Sequence, residues 1–314
     1  MRVSGSRMVV VLAILAGLLG LPAGASAKGK PSCFGHNATI VGTKHSDHIK
    51  GTRHRDVIVA RGGNDVVDGN KGPDIVCGGP GNDKITTNNA PDILIGGDGN
   101  DDLTADRGRD LVVGDQANRN GNAIGHVGRD KLGGAAGRDV LVGDNYARHG
   151  NAKGGASDKD IDGGKGGDIL VGDSFAPGHG NARGGGNDHE EAEQGRDLVI
   201  GDSFSRYGRA IGGGNDEVNA GPKSDVAVGD SYTITGFASG SGRDKVHGLF
   251  SNELLYGDNY ASGRGGKTKG GASDIVTGAG GRDEIHGGPG NRDNCAGGRG
   301  IDHQNGCEFL HTFP

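Results

Sequence analysis

The sequence has little of what an ordinary globular core is built from. Of its 314 residues, 32% are hydrophobic and 4% are aromatic, with no Trp, whereas 68 are Gly. Ordering the backbone costs about 1 to 2 kcal/mol per residue, and Gly raises that cost, so apolar burial alone is a weak source of stability. With only 9 Pro and no Gly-X-Y triplet, the chain is not collagen-like. A disordered glycine-rich chain and a repeat with glycine-dependent turns remain.

The sequence also lacks the motifs of common enzyme classes. We find no HExxH, GxSxG or P-loop pattern, and the 12 His are scattered. No long non-repetitive segment could hold a catalytic domain, so we predict that the chain is not an enzyme. Its net charge of −6 at pH 7 argues against nucleic acid as a partner and suits cations.

Residues 1–27 have the pattern of a secretory signal peptide. Arg2 and Arg7 precede an apolar run from Met8 to Leu21, and Ala25-Ser26-Ala27 provides a small-residue cleavage site. The run is about 14 residues long, which is shorter than the roughly 20 that a membrane-spanning helix needs. We therefore expect a secreted mature chain without a membrane span or a lipid anchor.

Four Cys fit an oxidising compartment. Cys33 and Cys77 lie near the start of the mature chain, and Cys295 and Cys307 lie near its end. Local pairing, Cys33–Cys77 with Cys295–Cys307, is favoured among the three possible connectivities, although the sequence alone does not decide between them.

Aspartate recurs with a strict period of nine over the first third of the mature chain. A branched aliphatic residue follows two positions after each Asp, as Ile49 follows Asp47. Each nonapeptide therefore predicts a polar turn and a short strand with one inward apolar side chain, and successive strands must stack into a solenoid. The aspartates are Asp47, Asp56, Asp65, Asp74, Asp83, Asp92, Asp101 and Asp110.

Beyond Asp110 a longer unit of 28 to 29 residues takes over, marked by a recurring Gly-Asp at 115, 144, 173, 202, 230 and 258. Each unit contains two nonapeptides and one enlarged glycine-rich turn, in which an aromatic residue usually follows the Gly-Asp. We predict an N-terminal cap at 28–39 and a regular roll at 40–114. A roll with enlarged turns and C-terminal repeats follows at 115–306, and a tail at 307–314.

The best-kept turns are GGPGNDKIT at 78–86, GGDGNDDLT at 96–104 and GGKGGDILV at 163–171. They resemble the GGxGxDxUx pattern of the RTX, or haemolysin-type, calcium-binding repeat, and the resemblance extends roughly from residue 40 to 306. It implies an all-β fold, a parallel β-roll in which two nonapeptides form each coil, with several Ca²⁺ ions, each between turns that are stacked on the same edge.

The physical chemistry of the turn agrees with calcium. Ca²⁺ takes about 6 to 8 oxygen ligands, which glycine turns supply as carbonyls and Asp as a short carboxylate. A stacked Asp column without metal would be a row of like charges. The candidate ligands are Asp65, Asp74, Asp83, Asp92, Asp101, Asp110, Asp130, Asp139, Asp168, Asp197, Asp216, Asp225, Asp244 and Asp283, with Gly78, Gly79, Gly81, Gly96, Gly97, Gly99, Gly163, Gly164 and Gly166.

Alternate repeats share an edge, so the two edges can be compared. The edge of Asp83 approaches the GGxGxD pattern, whereas the edge of Asp92 lacks several of its glycines. We predict tighter sites at Asp65, Asp83 and Asp101 than at Asp74, Asp92 and Asp110. Departures from the pattern, such as Lys159, Glu190 and the extra residue before Asp293, make calcium unexpected there.

Two features of the enlarged turns stay open. The Gly-Asp aspartates are either additional ligands or caps of the turn. For the aromatic residues, packing against the glycines of the turn is favoured over sugar binding. They are Tyr146, Phe175, Phe204, Tyr232 and Tyr260.

Together these patterns predict an extracellular calcium-binding protein that folds when it binds the ion. The alternative is a calcium-stabilised adhesion or spacer protein with cell-surface polysaccharide or matrix as a partner. An enzyme acting on an extracellular polymer is the least favoured of the three.

Overall fold

The computed structural model describes residues 29–289 and 292–312, and within these ranges the chain forms strands and turns but no helix. Nearly all strand pairs are parallel, which confirms the predicted all-β parallel roll. The predicted signal peptide at 1–27 lies outside the described residues. In the described part of the chain, no helix is long and apolar enough to cross a membrane.

In the regular part, one coil contains two nonapeptides, as predicted. Ile85 pairs with Val67 on one side and with Leu103 on the other, so each strand lies beside the strand 18 residues away. Val76 is related in the same way to Leu94 in the opposite sheet. This register follows from the period, because only a stack of coils keeps every central aliphatic side chain on the inner face.

Two long sheets run along the whole roll. Sheet one has the strands Ile40–Val41, Val57–Val59, Ile75–Cys77, Ile93–Ile95, Leu111–Val113, Val140–Val142, Ile169–Val171, Leu198–Ile200, Val226–Val228, Leu254–Tyr256, Glu284–His286 and His303–Asn305. Sheet two has His48–Lys50, Val66–Asp68, Lys84–Thr86, Asp102–Thr104, Lys131–Gly133, Ile161–Asp162, His189–Glu191, Glu217–Asn219, Lys245–His247, Ile275–Thr277, Gly280–Gly281, Asn294–Gly300 and Phe309–Thr312.

In the core between the two sheets, each strand contributes a single inward-pointing side chain. The central residue of each strand points inward, as Leu94 of sheet one and Leu103 of sheet two do, and both are fully buried. This narrow row of aliphatic residues accounts for the low apolar content of the sequence.

Between residues 114 and 269, an enlarged turn adds two short strands to each coil. They build two further parallel sheets on the edge where the turn is inserted. Sheet three has Ala117–Asn118, Tyr146–Ala147, Phe175–Ala176, Phe204–Ser205, Tyr232–Thr233 and Tyr260–Ala261. Sheet four has Ala123–Ile124, Ala152–Lys153, Ala182–Arg183, Arg209–Ile211, Phe237–Ser239 and Lys267–Lys269, and a small sheet joins Arg107–Gly108, Ala136–Gly137 and Lys165–Gly166.

The aromatic residues of the enlarged turns stack on one another, a contact that the predicted packing against the turn glycines did not include. The ring centroids of Phe175 and Phe204 lie 4.8 Å apart, as do those of Phe204 and Tyr232. These rings pack beside Val171 and Ile200 on the outer face of sheet one and form a second apolar cluster. The preference for packing over an exposed sugar-binding role agrees with this burial, since Phe204 is only 5% exposed.

One disulfide lies near each end of the roll. An antiparallel hairpin of Ser32–Cys33 and His36–Asn37 covers the N-terminal coils, and Cys33 is bonded to Cys77 of sheet one. Cys295 is bonded to Cys307. In the segment expected to be a tail, Phe309–Thr312 adds a last parallel strand to sheet two.

Candidate functional site

The turn aspartates form two continuous columns along the roll. In the first carboxylate column, the backbone N–H of Asp83 donates to Oδ1 of Asp101 over 2.7 Å, and the same bond recurs from coil to coil. This column contains Asp47, Asp65, Asp83, Asp101, Asp130, Asp158, Asp188, Asp216, Asp244, Asp274 and Asp293. At its C-terminal end, Oε2 of Glu308 accepts the N–H of Asp293 over 2.7 Å and so takes the place of the next Asp.

The second carboxylate column lies on the opposite edge and uses the same bond, as from Asp74 to Asp92 over 2.7 Å, except that Asp225 and Glu253 are neighbours through the register of their strands. It contains Asp56, Asp74, Asp92, Asp110, Asp139, Asp168, Asp197, Asp225, Glu253, Asp283 and Asp302. All predicted aspartate ligands lie in one of these two columns.

Sequence reasoning left out Asp158, Asp188, Asp274 and Asp293, although the structure places them in the first column. At Asp158 the spacing was misleading, because one extra residue precedes the inward Ile161. Asp160, with a φ of 56°, absorbs this residue in the left-handed region and restores the register with Leu132. The segment before Asp293 also contains one extra residue, and Arg292 in this segment has a φ of 82°, again in the left-handed region.

One carboxylate oxygen of nearly every aspartate in the two columns is buried without a hydrogen-bond partner in the part of the chain that the structure describes. Among the predicted ligands the exception is Asp225, whose Oδ2 accepts the N–H of Lys223 over 3.3 Å. The unpartnered oxygens are Oδ2 of Asp65, Asp74, Asp83, Asp92, Asp101, Asp110, Asp130, Asp139, Asp158, Asp168, Asp188, Asp197, Asp216, Asp244, Asp274, Asp283 and Asp293. Buried carboxylate oxygens in proteins normally have a donor, a proton or a metal ion.

Burial makes the negative charge of these groups unfavourable. Desolvation raises the pKa of Asp83 to about 6, with a smaller contribution from the charge of Asp65. Desolvation likewise raises the pKa of Asp101 to about 8, and the charges of Asp130 and Asp83 add to it. The described ion pairs involve Lys50, Lys84, Lys131 and three His, and none of them reaches the two columns. The columns therefore need protons or cations.

The turns of the first edge bring backbone oxygens close to these carboxylates. Gly81 has a φ of 143° and Gly99 a φ of 148°, conformations that other residues rarely adopt. A Cβ added to Gly99 would collide with the carbonyl oxygen of Gly81, and one added to Gly78 or Gly96 would collide with Oδ2 of the Asp that ends its own turn. The glycine pattern thus creates a cradle of carbonyl and carboxylate oxygens with no room for a side chain.

The two edges differ in this respect. The first-edge turns at 78–83 and 96–101 each have two glycines with positive φ, namely Gly79 with Gly81 and Gly97 with Gly99. The second-edge turns at 87–92 and 105–110 have no residue with positive φ, whereas the second-edge turn at 69–74 has two, Asn70 and Gly72. The turn at 163–168 is intermediate, because Gly164 has a φ of 79° while Lys165–Gly166 is a short strand. Gly163, the first glycine of this turn, is not among the positive-φ residues.

The Gly-Asp aspartates form a third carboxylate column inside the enlarged turns. One oxygen of each accepts the N–H of the residue two positions before a first-column Asp, as Asp202 does from Gly214 over 3.1 Å. The column contains Asp115, Asp144, Asp173, Asp202, Asp230 and Asp258, all nearly inaccessible to solvent. These carboxylates cap the turn, and Asp115, Asp144, Asp202 and Asp258 each keep one buried oxygen without a partner.

A family model of the RTX calcium-binding nonapeptide repeat, in 4 copies, matches residues 41–76, 78–112 and 270–303. No curated protein and no solved structure matches the chain. The matches cover less than half of the chain and lie where the turns keep their short form, because the enlarged turns between residues 113 and 269 interrupt the nonapeptide spacing. RTX nonapeptide repeats are non-catalytic and bind Ca²⁺, with several repeats present, and the oxygen-only cradle fits this ion.

Proposed function

Because the chain carries RTX calcium-binding nonapeptide repeats, we propose that it is an extracellular protein whose roll folds when it binds calcium. The observation that carries this proposal is the row of buried carboxylate oxygens without partners, which is found on both edges and is interrupted among the predicted ligands only at Asp225. We assign no catalytic activity to the chain.

The ligands would come from the carboxylates and from the carbonyl groups of the stacked turns. Ca²⁺ takes about 6 to 8 oxygens, more than one turn can offer, so each ion needs two neighbouring coils. The first-edge turns ending at Asp65, Asp83 and Asp101 fit best, because their glycines leave the carbonyl groups uncovered. The ion supplies positive charge that neutralises neighbouring carboxylates.

Folding and binding are coupled in this proposal by electrostatics. Without a cation, the fold would have to bury carboxylates of one sign beside each other, which disfavours the ionised form of groups such as Asp74 and Asp101. In the unfolded chain the same groups lie in water. An ion that binds only the stacked coils therefore shifts the equilibrium toward the roll.

An extracellular location is supported by the two disulfides, since such bonds persist in oxidising compartments. Calcium sites in extracellular modules commonly have dissociation constants of roughly 10⁻⁴ to 10⁻³ M, and we expect sites between neighbouring coils to bind in this range. Fractionation of expressing cells tests this part, and retention of the whole chain in the cytoplasm argues against it.

Circular dichroism of the purified chain, titrated with Ca²⁺ from an EDTA-treated start, tests the coupling. We expect the β signal to appear cooperatively with Ca²⁺ and to vanish when EDTA is added back. Mg²⁺ at the same concentration is the control, because it holds its water more tightly and demands a smaller octahedral site. Identical spectra in EDTA and in millimolar Ca²⁺ would contradict the proposal.

A role in adhesion remains the second hypothesis. The stacked aromatic rings leave few apolar groups exposed for a sugar, since Phe175 and Phe204 are each only 5% exposed. A binding screen on polysaccharides and cell walls distinguishes the two functions.

A further inference from the structure

An acidic side chain occupies a core position in the middle of the roll. Glu190 is the central residue of the strand His189–Glu191, where the paired strands carry Ile161 and Val218. Glu190 is fully buried, and neither of its carboxylate oxygens has a hydrogen-bond partner. The two paired residues are fully buried as well, so the position belongs to the core and an apolar residue is what the repeat requires there.

Three further carboxylates lie together beside this position. Asp173, Asp188 and Asp202 each offer a ligand atom within 4.8 Å of the others, and all three are buried. A Cβ added to Gly172 would lie 2.6 Å from Oδ2 of Asp188 and 2.6 Å from Oε1 of Glu190. The carboxylate of Glu190 is therefore aimed into the same space as that of Asp188, and only glycine leaves that space open.

The backbone satisfies only part of this group. Asp188 Oδ1 accepts the N–H of Asp158 over 2.7 Å, and Asp202 Oδ1 accepts the N–H of Gly214 over 3.1 Å. Asp173 accepts the N–H of Gly186 with both oxygens. Oδ2 of Asp188, Oδ2 of Asp202 and both oxygens of Glu190 have no partner, and the ion pairs of the described residues do not involve these four groups.

We propose that Asp173, Asp188, Asp202 and Glu190 bind one divalent cation of the calcium type inside the roll. Four ionised carboxylates without partners are strongly disfavoured in a dry interior, and a hard cation that takes oxygen ligands removes this penalty. The site goes beyond the proposed function, because it lies in the stretch that the repeat model does not match and uses no short glycine turn. It also explains an acidic residue at a position that otherwise weakens the core.

Counting bound Ca²⁺ on the full chain by native mass spectrometry tests the site. We expect Glu190→Gln to hold one ion fewer per chain than the parent protein. Glu191→Gln is the matched control, since Glu191 is the next residue on the same strand and its side chain is exposed. Equal ion counts for Glu190→Gln and the parent protein would overturn the proposal.

A second pair of variants guards against a general folding defect. Glu190→Val restores the residue type of the neighbouring coil, and Asp202→Asn keeps the shape of a ligand outside the core strand. We expect each to lose one ion. At the lowest Ca²⁺ concentration that folds both chains, we expect Glu190→Val to unfold at a higher denaturant concentration than the parent but to gain less from further Ca²⁺. If Glu190 merely holds a proton, Glu190→Val instead raises the midpoint equally at low and at high Ca²⁺ and keeps the ion count.

This experiment separates the site from the edge sites. Loss of an ion in Asp83→Asn with no change in Glu190→Gln rejects the buried site and leaves the proposed function intact. Loss of an ion in Glu190→Gln with no change in Asp83→Asn supports the buried site and contradicts calcium binding at the Asp83 edge site.

Discussion

The backbone N–H of Asp83 donates to Oδ1 of Asp101 over 2.7 Å, while Oδ2 of Asp101 is buried without a partner. One oxygen thus joins consecutive coils and the other is left for a cation. The same carboxylate serves both stability and binding, which is why Asn, with a single side-chain oxygen, cannot replace Asp without loss of one of the two roles.

The two edges should differ in calcium affinity. We expect Asp83→Ala to weaken calcium binding by about tenfold or more, the scale at which even supporting residues of metal sites act, and Asp92→Ala to weaken it less. The reason is that the turn before Asp83 has glycines with positive φ whereas the turn before Asp92 has none. Isothermal titration calorimetry of both variants measures this. The comparison is matched, because each substitution removes the acceptor of one backbone N–H, and equal affinities would show that turn conformation does not set the order.

The stability of the metal-free roll should fall as the pH rises. Burial raises the pKa of Asp74 and Asp110 to about 7, above that of an aspartate in the unfolded chain. The folded state therefore binds more protons than the unfolded state, so its stability is greatest below about pH 4 and is lost as the pH rises through about 7. Urea unfolding in EDTA at a series of pH values measures this.

With saturating Ca²⁺ the trend should reverse over the same pH range, because the ion competes with protons for the carboxylates. A midpoint in EDTA that rises between about pH 4 and pH 7 would mean that the carboxylates are already ionised and paired in the metal-free fold.

The aromatic stack should contribute to stability. Phe204 lies between Phe175 and Tyr232, with ring centroids 4.8 Å from each. We expect Phe204→Ala to lower the free energy of unfolding by about 3 kcal/mol, because it removes a buried ring and leaves a cavity. Phe250→Ala is the control, since Phe250 is 76% exposed and its loss should change stability by less than about 0.5 kcal/mol. A similar decrease in the free energy of unfolding for both variants would show that the aromatic stack does not contribute to stability.

The two disulfides should stabilise to different extents. Cys33–Cys77 closes a separation of 44 residues and Cys295–Cys307 one of 12. The loss of chain entropy then predicts that replacing Cys33 and Cys77 by Ala lowers the free energy of unfolding by about 4 kcal/mol, and replacing Cys295 and Cys307 lowers it by about 3 kcal/mol. Each pair has one buried and one half-buried Cys, so the core loss is matched. Guanidinium unfolding in Ca²⁺ measures both, and an equal or reversed order would point to structure remaining in the unfolded chain.

The two-sheet roll could be predicted from the sequence because its information is local. The nine-residue period places one aliphatic residue, such as Leu94, at the inner position of each strand, and only stacking buries it. The same period predicts the members of the two carboxylate columns wherever the spacing between consecutive turn aspartates is regular.

The structure of the enlarged turns could not be predicted in this way. Tyr146 and Phe175 contact each other across 29 residues, and no local pattern specifies that contact. One signal was present, however. Strands such as Leu111–Val113 are apolar at all three positions, whereas Lys131–Gly133 has a single large apolar residue. A strand that is apolar on both sides indicates cover on both faces, which is what sheet three and its rings provide.

The ladder of N–H groups and carboxylates gives the roll a direction. In the first carboxylate column, the backbone N–H groups donate toward the C-terminal side and the carboxylates accept from the N-terminal side, as Asp101 donates to Asp130. A roll shortened at its C-terminus would therefore end in donors without acceptors, and one shortened at its N-terminus would begin with acceptors without donors. In a chain that emerges N-terminus first, each coil of this column therefore lacks its acceptor until the next coil has emerged, and Asp293 lacks its acceptor until Glu308 has emerged.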